Sequence, residues 1–265
     1  FSRILFSPNS SLLLADKIVW KVPDDPLNGS WEQAVDLTGE ERGLAFSNDG
    51  GWVMAGNRDA LRLWGVGNGQ MQQEIPFYAS NDQLASLVFS NDSTRLLTGT
   101  SGYRRNELRP FQTAVQQWSF PDGILQYTFT RENTYGAALG ISPDGSLAAA
   151  GVLNGDTDQD HCIYLWTTAT GAEAAQISTR GLEITSLAFS PAGDGLAVGA
   201  QNDQKIRIYN AADLSFSLAH SIQTSGTVND LAYSPDGSML AAGEYIFAYG
   251  DSTGEVQIWN ASEGS

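Results

Sequence analysis

Histidine, cysteine and positive charge are all scarce in this chain, and each shortage narrows what it can do. The two histidines, His161 and His220, stand far apart and on no metal-ligand spacing. The single cysteine, Cys162, excludes an intrachain disulfide and reads as a small buried residue beside the strand Ile163–Trp166. A reactive thiol would need a neighbouring base, and only His161 adjoins it in sequence. Fourteen basic residues face 30 acidic ones, giving a net charge of −16. That balance opposes nucleic acid and anionic membranes as partners, because phosphate binding needs a cationic footprint. An acidic surface serves solubility; a cationic partner or a high-salt habitat are the alternative readings. No run approaches the roughly 18 apolar residues of a membrane helix, so no membrane insertion is expected. Nucleophile elbows, Gly-rich phosphate loops and paired-cysteine motifs are missing too. Residue 1 is Phe rather than Met, so the chain is expected to be part of a longer or processed protein.

What the sequence does contain is a repeat. Six times an alternating apolar segment ends in a serine and a tight turn: Ser7, Ser47, Ser90, Ser142, Ser190 and Ser234. Six times an aromatic then closes a strand: Trp20, Trp64, Trp118, Trp166, Tyr209 and Trp259. The serines are 40, 43, 52, 48 and 44 residues apart, the length of one supersecondary unit copied about an axis. Within a copy the signals are those of strands. Val228–Tyr233 runs into Ser234-Pro235-Asp236-Gly237, where proline fixes φ and glycine accepts a positive one. Met239–Ala242 and the alternating Glu255–Trp259 follow. A fourth strand fits between each aromatic and the next serine, as in Gln72–Phe77, Leu125–Thr130 and Ala174–Ser178. The expected fold is all-β: a β-propeller with six four-stranded antiparallel blades over residues 1–265, the last lacking its own outer strand. The completing strand is expected from residues outside this chain.

The strings LAFSPAG (187–193), LAYSPDG (231–237) and GISPDGSLAAAG (140–151), with the strand endings LRLW, IYLW, IRIY and VQIW, resemble the WD-repeat β-propeller family over nearly the whole chain. The resemblance is to a divergent member. The aspartate that follows the tryptophan in that family is replaced by Lys21, Gly65, Ser119, Thr167, Asn210 and Asn260, and the Gly-His pair before the innermost strand is missing. Asp160 and Asp203 stand where the family's buried network has its aspartate, six residues before Trp166 and Tyr209, without the histidine. The resemblance implies a non-catalytic scaffold for protein partners or a multi-subunit assembly.

Length varies in one place. From each aromatic to the next serine there are 27, 26, 24, 24 and 25 residues; from each serine to its own aromatic there are 13, 17, 28, 24, 19 and 25. The extra residues fall between the second and third strands, whose connections all emerge on one propeller face, and insertions gathered on one face mark binding surfaces. Thr100–Ala114 in the third copy carries Tyr103, Arg104, Arg105, Arg109 and Phe111, suited to a carboxylate-bearing or planar partner. Those arginines could equally pair with the protein's own carboxylates. In the fourth copy, Asp156, Asp158 and Asp160 offer alternating oxygens to a hard cation such as calcium. The EF-hand pattern fails there, since His161 stands where glycine is needed, and a solvated acidic turn is the plainer reading. In the sixth copy, Glu244–Thr253 holds Tyr245, Phe247 and Tyr249, either as an extended hairpin or as aromatics offered to a partner. Partner binding is therefore expected at Tyr103, Arg104, Arg105, Arg109, Tyr245, Phe247 and Tyr249, with no catalytic residue and no cofactor beyond a calcium ion at the acidic turn. The competing function is a hydrolase or calcium-dependent binder using carboxylates on the same rim.

Overall fold

Alternating apolar residues separated by serine-led turns build six small antiparallel sheets arranged as propeller blades in a computed structural model of the chain. The structure describes residues 4–15, 17–37, 43–57, 59–76, 83–101, 112–132, 134–154, 161–201, 203–248 and 251–262. Blade one comprises β1 (Ile4–Phe6), β2 (Leu12–Ala15), β3 (Ile18–Lys21) and β4 (Glu32–Asp36). Blade two is β5 (Gly43–Phe46), β6 (Trp52–Gly56), β7 (Ala60–Gly65) and β8 (Gln70–Pro76). Blade three is β9 (Gln83–Phe89), β10 (Arg95–Ser101), β11 (Gln112–Ser119) and β12 (Leu125–Glu132). Blade four follows as β13 (Thr134–Ile141), β14 (Leu147–Asn154), β15 (Cys162–Thr167) and β16 (Glu173–Ser178). Blade five is β17 (Ile184–Phe189), β18 (Gly195–Ala200), β19 (Lys205–Asn210) and β20 (Leu218–Gln223). In blade six, β21 (Thr227–Tyr233), β22 (Met239–Ala248) and β23 (Asp251–Asn260) form a sheet of three strands among the described residues, as the repeat count predicts.

Each serine is the hub of its first turn. Its hydroxyl donates to the side-chain oxygen of an Asx residue: Asn9, Asp49, Asp92, Asp144, Asp194 and Asp236, at 2.5–2.7 Å. The same hydroxyl accepts the N–H five residues on, from Leu12, Trp52, Arg95, Leu147, Gly195 and Met239, at 2.9–3.0 Å. The fourth turn residue is left-handed in every copy. Gly50, Gly145, Gly193 and Gly237 meet that demand without steric penalty, whereas Ser10 and Ser93 adopt φ of 57° and 54°.

The core lies between blades, as five apolar seams. Each seam joins the aliphatic third strand of one blade to the inner strand and the repeat aromatic of the next. Leu61 and Leu63 of blade two pack with Leu87, Phe89 and Trp118 of blade three. Ile163 and Leu165 meet Ile184, Leu187 and Tyr209, and Ile206 and Ile208 meet Val228, Leu231 and Trp259. Trp64, Trp118, Trp166 and Tyr209 are buried, each contributing about 2–3 kcal/mol through burial. The Trp118 indole N–H is satisfied by Thr98 Oγ1 at 3.1 Å, and Trp166 stacks on Phe129 with centroids 4.6 Å apart. Trp20 and Trp259 are only partly buried: among the described residues no blade lies against the face of Trp20, and no fourth strand pairs with β23 beside Trp259. Trp31, outside the repeat register, is exposed, and Trp52 meets Phe120 edge to face.

Candidate partner-binding face

Antiparallel strand order puts the second-to-third and the outer-to-inner connections on one face, and the serine turns on the other. The serine-turn face is uniform, and neighbouring turns there touch. Asn48 N–H donates to Ser93 Oγ and Asn48 Nδ2 to the Asn91 carbonyl, both at 2.9 Å. A shallow depression between the turns of blades four and five is lined by Pro143, Asp144, Phe189, Pro191, Asp213 and Leu214. Asp92, Asp144 and Asp236 on this face are held in their charged form by the turns. The Ser234 hydroxyl, together with the Ser238 N–H and hydroxyl, pulls Asp236 down to about 2. Hydroxyls of Ser90 and Ser142 lead the lowering of Asp92 and Asp144 below the usual carboxylate range.

The other face carries the length variation. In blade six the extra residues lengthen the strands themselves. The ten-residue β22 and β23 stay in register from Met239↔Asn260 out to Ala248↔Asp251, so Glu244–Thr253 is a projecting hairpin rather than an irregular loop. Tyr245 pairs with Gly254 and is 41% exposed. At its base Glu244 is buried, and its Oε2 accepts the N–H groups of Ser225 and Gly226, both at 2.9 Å, tying the hairpin to the turn that enters blade six. Gln257 Nε2 donates to Ser225 Oγ at 2.7 Å on the same turn. Sequence reading counted Glu244 only as the start of a loop. Its role as a clasp has no sequence signal, because its two donors lie in a different connection.

Of the residues singled out by sequence, Tyr103, Arg104, Arg105, Arg109, Tyr249, Asp156, Asp158 and Asp160 lie outside the described residues. Phe247 is placed in β22 opposite Ser252 by its backbone. Strands β10 and β11 end and begin at Ser101 and Gln112, and β14 and β15 at Asn154 and Cys162, and these strand ends lie on the face of the hairpin. Asp203, standing where the resemblance expects a histidine partner, forms an ion pair with Arg207. Beside this rim Thr179 donates to the His161 carbonyl at 2.8 Å, and buried Cys162 accepts from Gln176 at 2.8 Å. Among the described residues, no three His, Cys, Asp or Glu side chains converge as metal ligands would. No described helix is long and apolar enough to cross a membrane.

The family model for the WD domain, G-beta repeat, matches residues 176–210 and 214–260, which run from β16 through β19 and from β20 through β23. The chain is 27% identical to the Periodic tryptophan protein 2 homolog of Dictyostelium discoideum, over 83% of this chain and 21% of that protein. It is 22% identical to the WD repeat-containing protein WDS homolog of Arabidopsis thaliana, over 82% of this chain and 38% of the relative. To the Small ribosomal subunit protein RACK1y of Oryza sativa subsp. japonica it is 29% identical, over 56% of this chain and 41% of the relative. The chain thus spans less than half the length of each of these relatives.

Proposed function

We propose that this chain, a divergent member of the WD-repeat β-propeller family, is a non-catalytic protein-interaction scaffold or assembly subunit. Its partner docks on the face that bears the insertions of blades three and four and the blade-six hairpin. The observation that carries this reading is the asymmetry between faces. Six serine turns keep one bonding pattern on one side, while the other side varies in length and gathers arginine and aromatic residues. Protein hot spots favour those residue types, so Arg104, Arg105, Tyr103, Arg109, Tyr245, Phe247 and Tyr249 are the contact residues assigned. An acidic chain of net charge −16 suits a protein partner better than a nucleic acid. A relative whose name places it in the small ribosomal subunit supports a role inside an assembly.

The test is capture of partners from native material on immobilised chain, identified by mass spectrometry and then measured with the purified partner. Arg104→Ala with Arg105→Ala should weaken binding at least tenfold, and so should trimming the hairpin between Ile246 and Thr253, with the β-sheet circular dichroism unchanged. Binding that survives both changes would sink the assignment of this face.

A further inference from the structure

Neighbouring serine turns meet in two different ways. Between blades two and three the contact is polar, through the two hydrogen bonds that Asn48 donates to Ser93 and Asn91. At the same position of the blade-four turn stands Pro143, which has no N–H and no side-chain donor. It meets the next turn through apolar contact instead, since a Cβ built on Gly193 would lie 3.7 Å from Pro143 Cδ. Pro191 repeats the substitution in blade five and is exposed, as is Ala192. The shallow depression at this junction, about 710 Å³ in volume, therefore has an apolar wall.

Blade five adds a second wall. Its third and fourth strands are joined by residues 211–217, against 66–69, 120–124 and 168–172 in blades two, three and four. Within that longer connection Phe216 is packed in the core at φ 45°, a left-handed conformation that bulky residues seldom take. Burial of its ring holds the backbone there. Two residues earlier Leu214 is 55% exposed, and it lines the depression together with Asp213.

Charge at the site has one sign. Asp144 and Asp213 line the depression, no lysine or arginine does, and neither carboxylate is ion-paired among the described residues. Arg95 approaches Gly145 of the same turn but is paired with Asp92 at 3.7 Å. Asp144 Oδ1 accepts from the Ser142 hydroxyl and from the Ser146 N–H and hydroxyl at 2.6–3.0 Å. Asp213 Oδ1 accepts the Ser215 N–H at 2.8 Å. These bonds fix each carboxylate through Oδ1 and leave Oδ2 outside them, available to a donor. They also hold both carboxyls below the ordinary range, led by the Ser142 side chain at Asp144 and the Ser215 side chain at Asp213.

We propose that this depression is a second docking site, taking an extended basic segment of a partner protein. A lysine or arginine of the segment pairs with Asp144 or Asp213, and an adjacent apolar side chain lies against Pro143, Phe189, Pro191 and Leu214. Charge complementarity argues for that occupant. The walls accept any apolar side chain, but two unpaired carboxylates on a chain of net charge −16 attract cations and repel acidic segments. The volume suits a few side chains rather than a folded domain. The site lies on the face opposite the rim proposed above, and its test leaves the rim unchanged.

Fluorescence anisotropy with a labelled peptide, Gly-Leu-Arg-Pro-Leu-Lys-Gly, reads the binding directly. Binding should saturate below about 1 mM and weaken at least threefold between about 50 and 500 mM NaCl, as salt screens the ion pairs. An analogue with glutamine in place of arginine and lysine should bind at least tenfold more weakly. Asp144→Asn with Asp213→Asn keeps the Oδ1 acceptor of both turns and should weaken binding at least tenfold, with β-sheet circular dichroism unchanged. Leu214→Ser, at an exposed side chain, should weaken it at least threefold. Asp49→Asn removes the same charge from the same face in blade two, outside the depression, and should change binding less than twofold. Failure to saturate, equal binding of the glutamine analogue, or binding that survives the changes at Asp144, Asp213 and Leu214 would overturn the proposal. So would an Asp49→Asn chain that loses as much affinity as the double variant, because the attraction would then belong to the acidic surface as a whole.

Discussion

Replacing Ser142 by alanine removes two hydrogen bonds from a buried hydroxyl without changing the backbone conformation the turn needs. Ser142 Oγ donates to Asp144 Oδ1 at 2.6 Å and accepts the Leu147 N–H at 2.9 Å. Leaving the partly buried Leu147 N–H without that acceptor costs about 1 kcal/mol. The bond to Asp144 adds about 1 kcal/mol more, the low end for a charged acceptor because that carboxylate is exposed and screened by solvent. A total of about 2 kcal/mol lowers the melting temperature of a domain this size by about 4–8 °C. Ser234→Ala deletes the same pair of bonds in blade six, where the hydroxyl is more exposed, and should cost about half as much. The effect also depends on pH in a fixed sense. Asp144 is held below its ordinary value chiefly by Ser142, so its share of stability is present above the unfolded value near ~4 and is lost as pH falls through the folded one. The melting difference between native chain and Ser142→Ala, followed by circular dichroism, should therefore shrink between pH 7 and pH 2. A difference below 1 °C at pH 7, or one that grows on acidification, would refute the reasoning.

Gly199→Ala should destabilise by about 1–3 kcal/mol in denaturant titration, because its Cβ would lie 2.5 Å from Val228 Cγ1 in a filled seam. Gly243→Ala, the same change where nothing lies within 4 Å of the added Cβ, should stay within about 0.5 kcal/mol of native. Ser10→Gly relieves a left-handed serine at φ 57° and should stabilise by about 0.5–1 kcal/mol after the entropy of the added glycine is counted, seen as a raised urea midpoint with unchanged slope.

The repeat was legible because each copy must satisfy local chemistry on its own. A hydroxyl that closes a turn, a glycine that accepts positive φ and an alternating third strand leave their marks at fixed offsets, so six blades and the short last sheet followed from Ser7 to Ser234 and Trp20 to Trp259. The strand Val228–Tyr233 was bounded to within one residue of β21, whereas Met239–Ala242 stopped six residues short of the end of β22. The rim was legible only as length. Counting residues located the insertions, but whether Glu244–Thr253 looped or paired depended on registry between β22 and β23, and alternation of Tyr245, Phe247 and Tyr249 suits both. Contacts between different connections left no trace in the chain, which is why the Glu244 clasp on Ser225 and Gly226 went unforeseen. The same holds for exposure. Val256 and Ile258 read in sequence like Ile206 and Ile208, with the same alternation before the same aromatic. Sequence alone determined that these side chains point to one face of a blade, because alternation is a property of the strand. Only the tertiary structure decided that, among the described residues, one pair is buried and the other bare, because burial depends on whether another blade lies against that face.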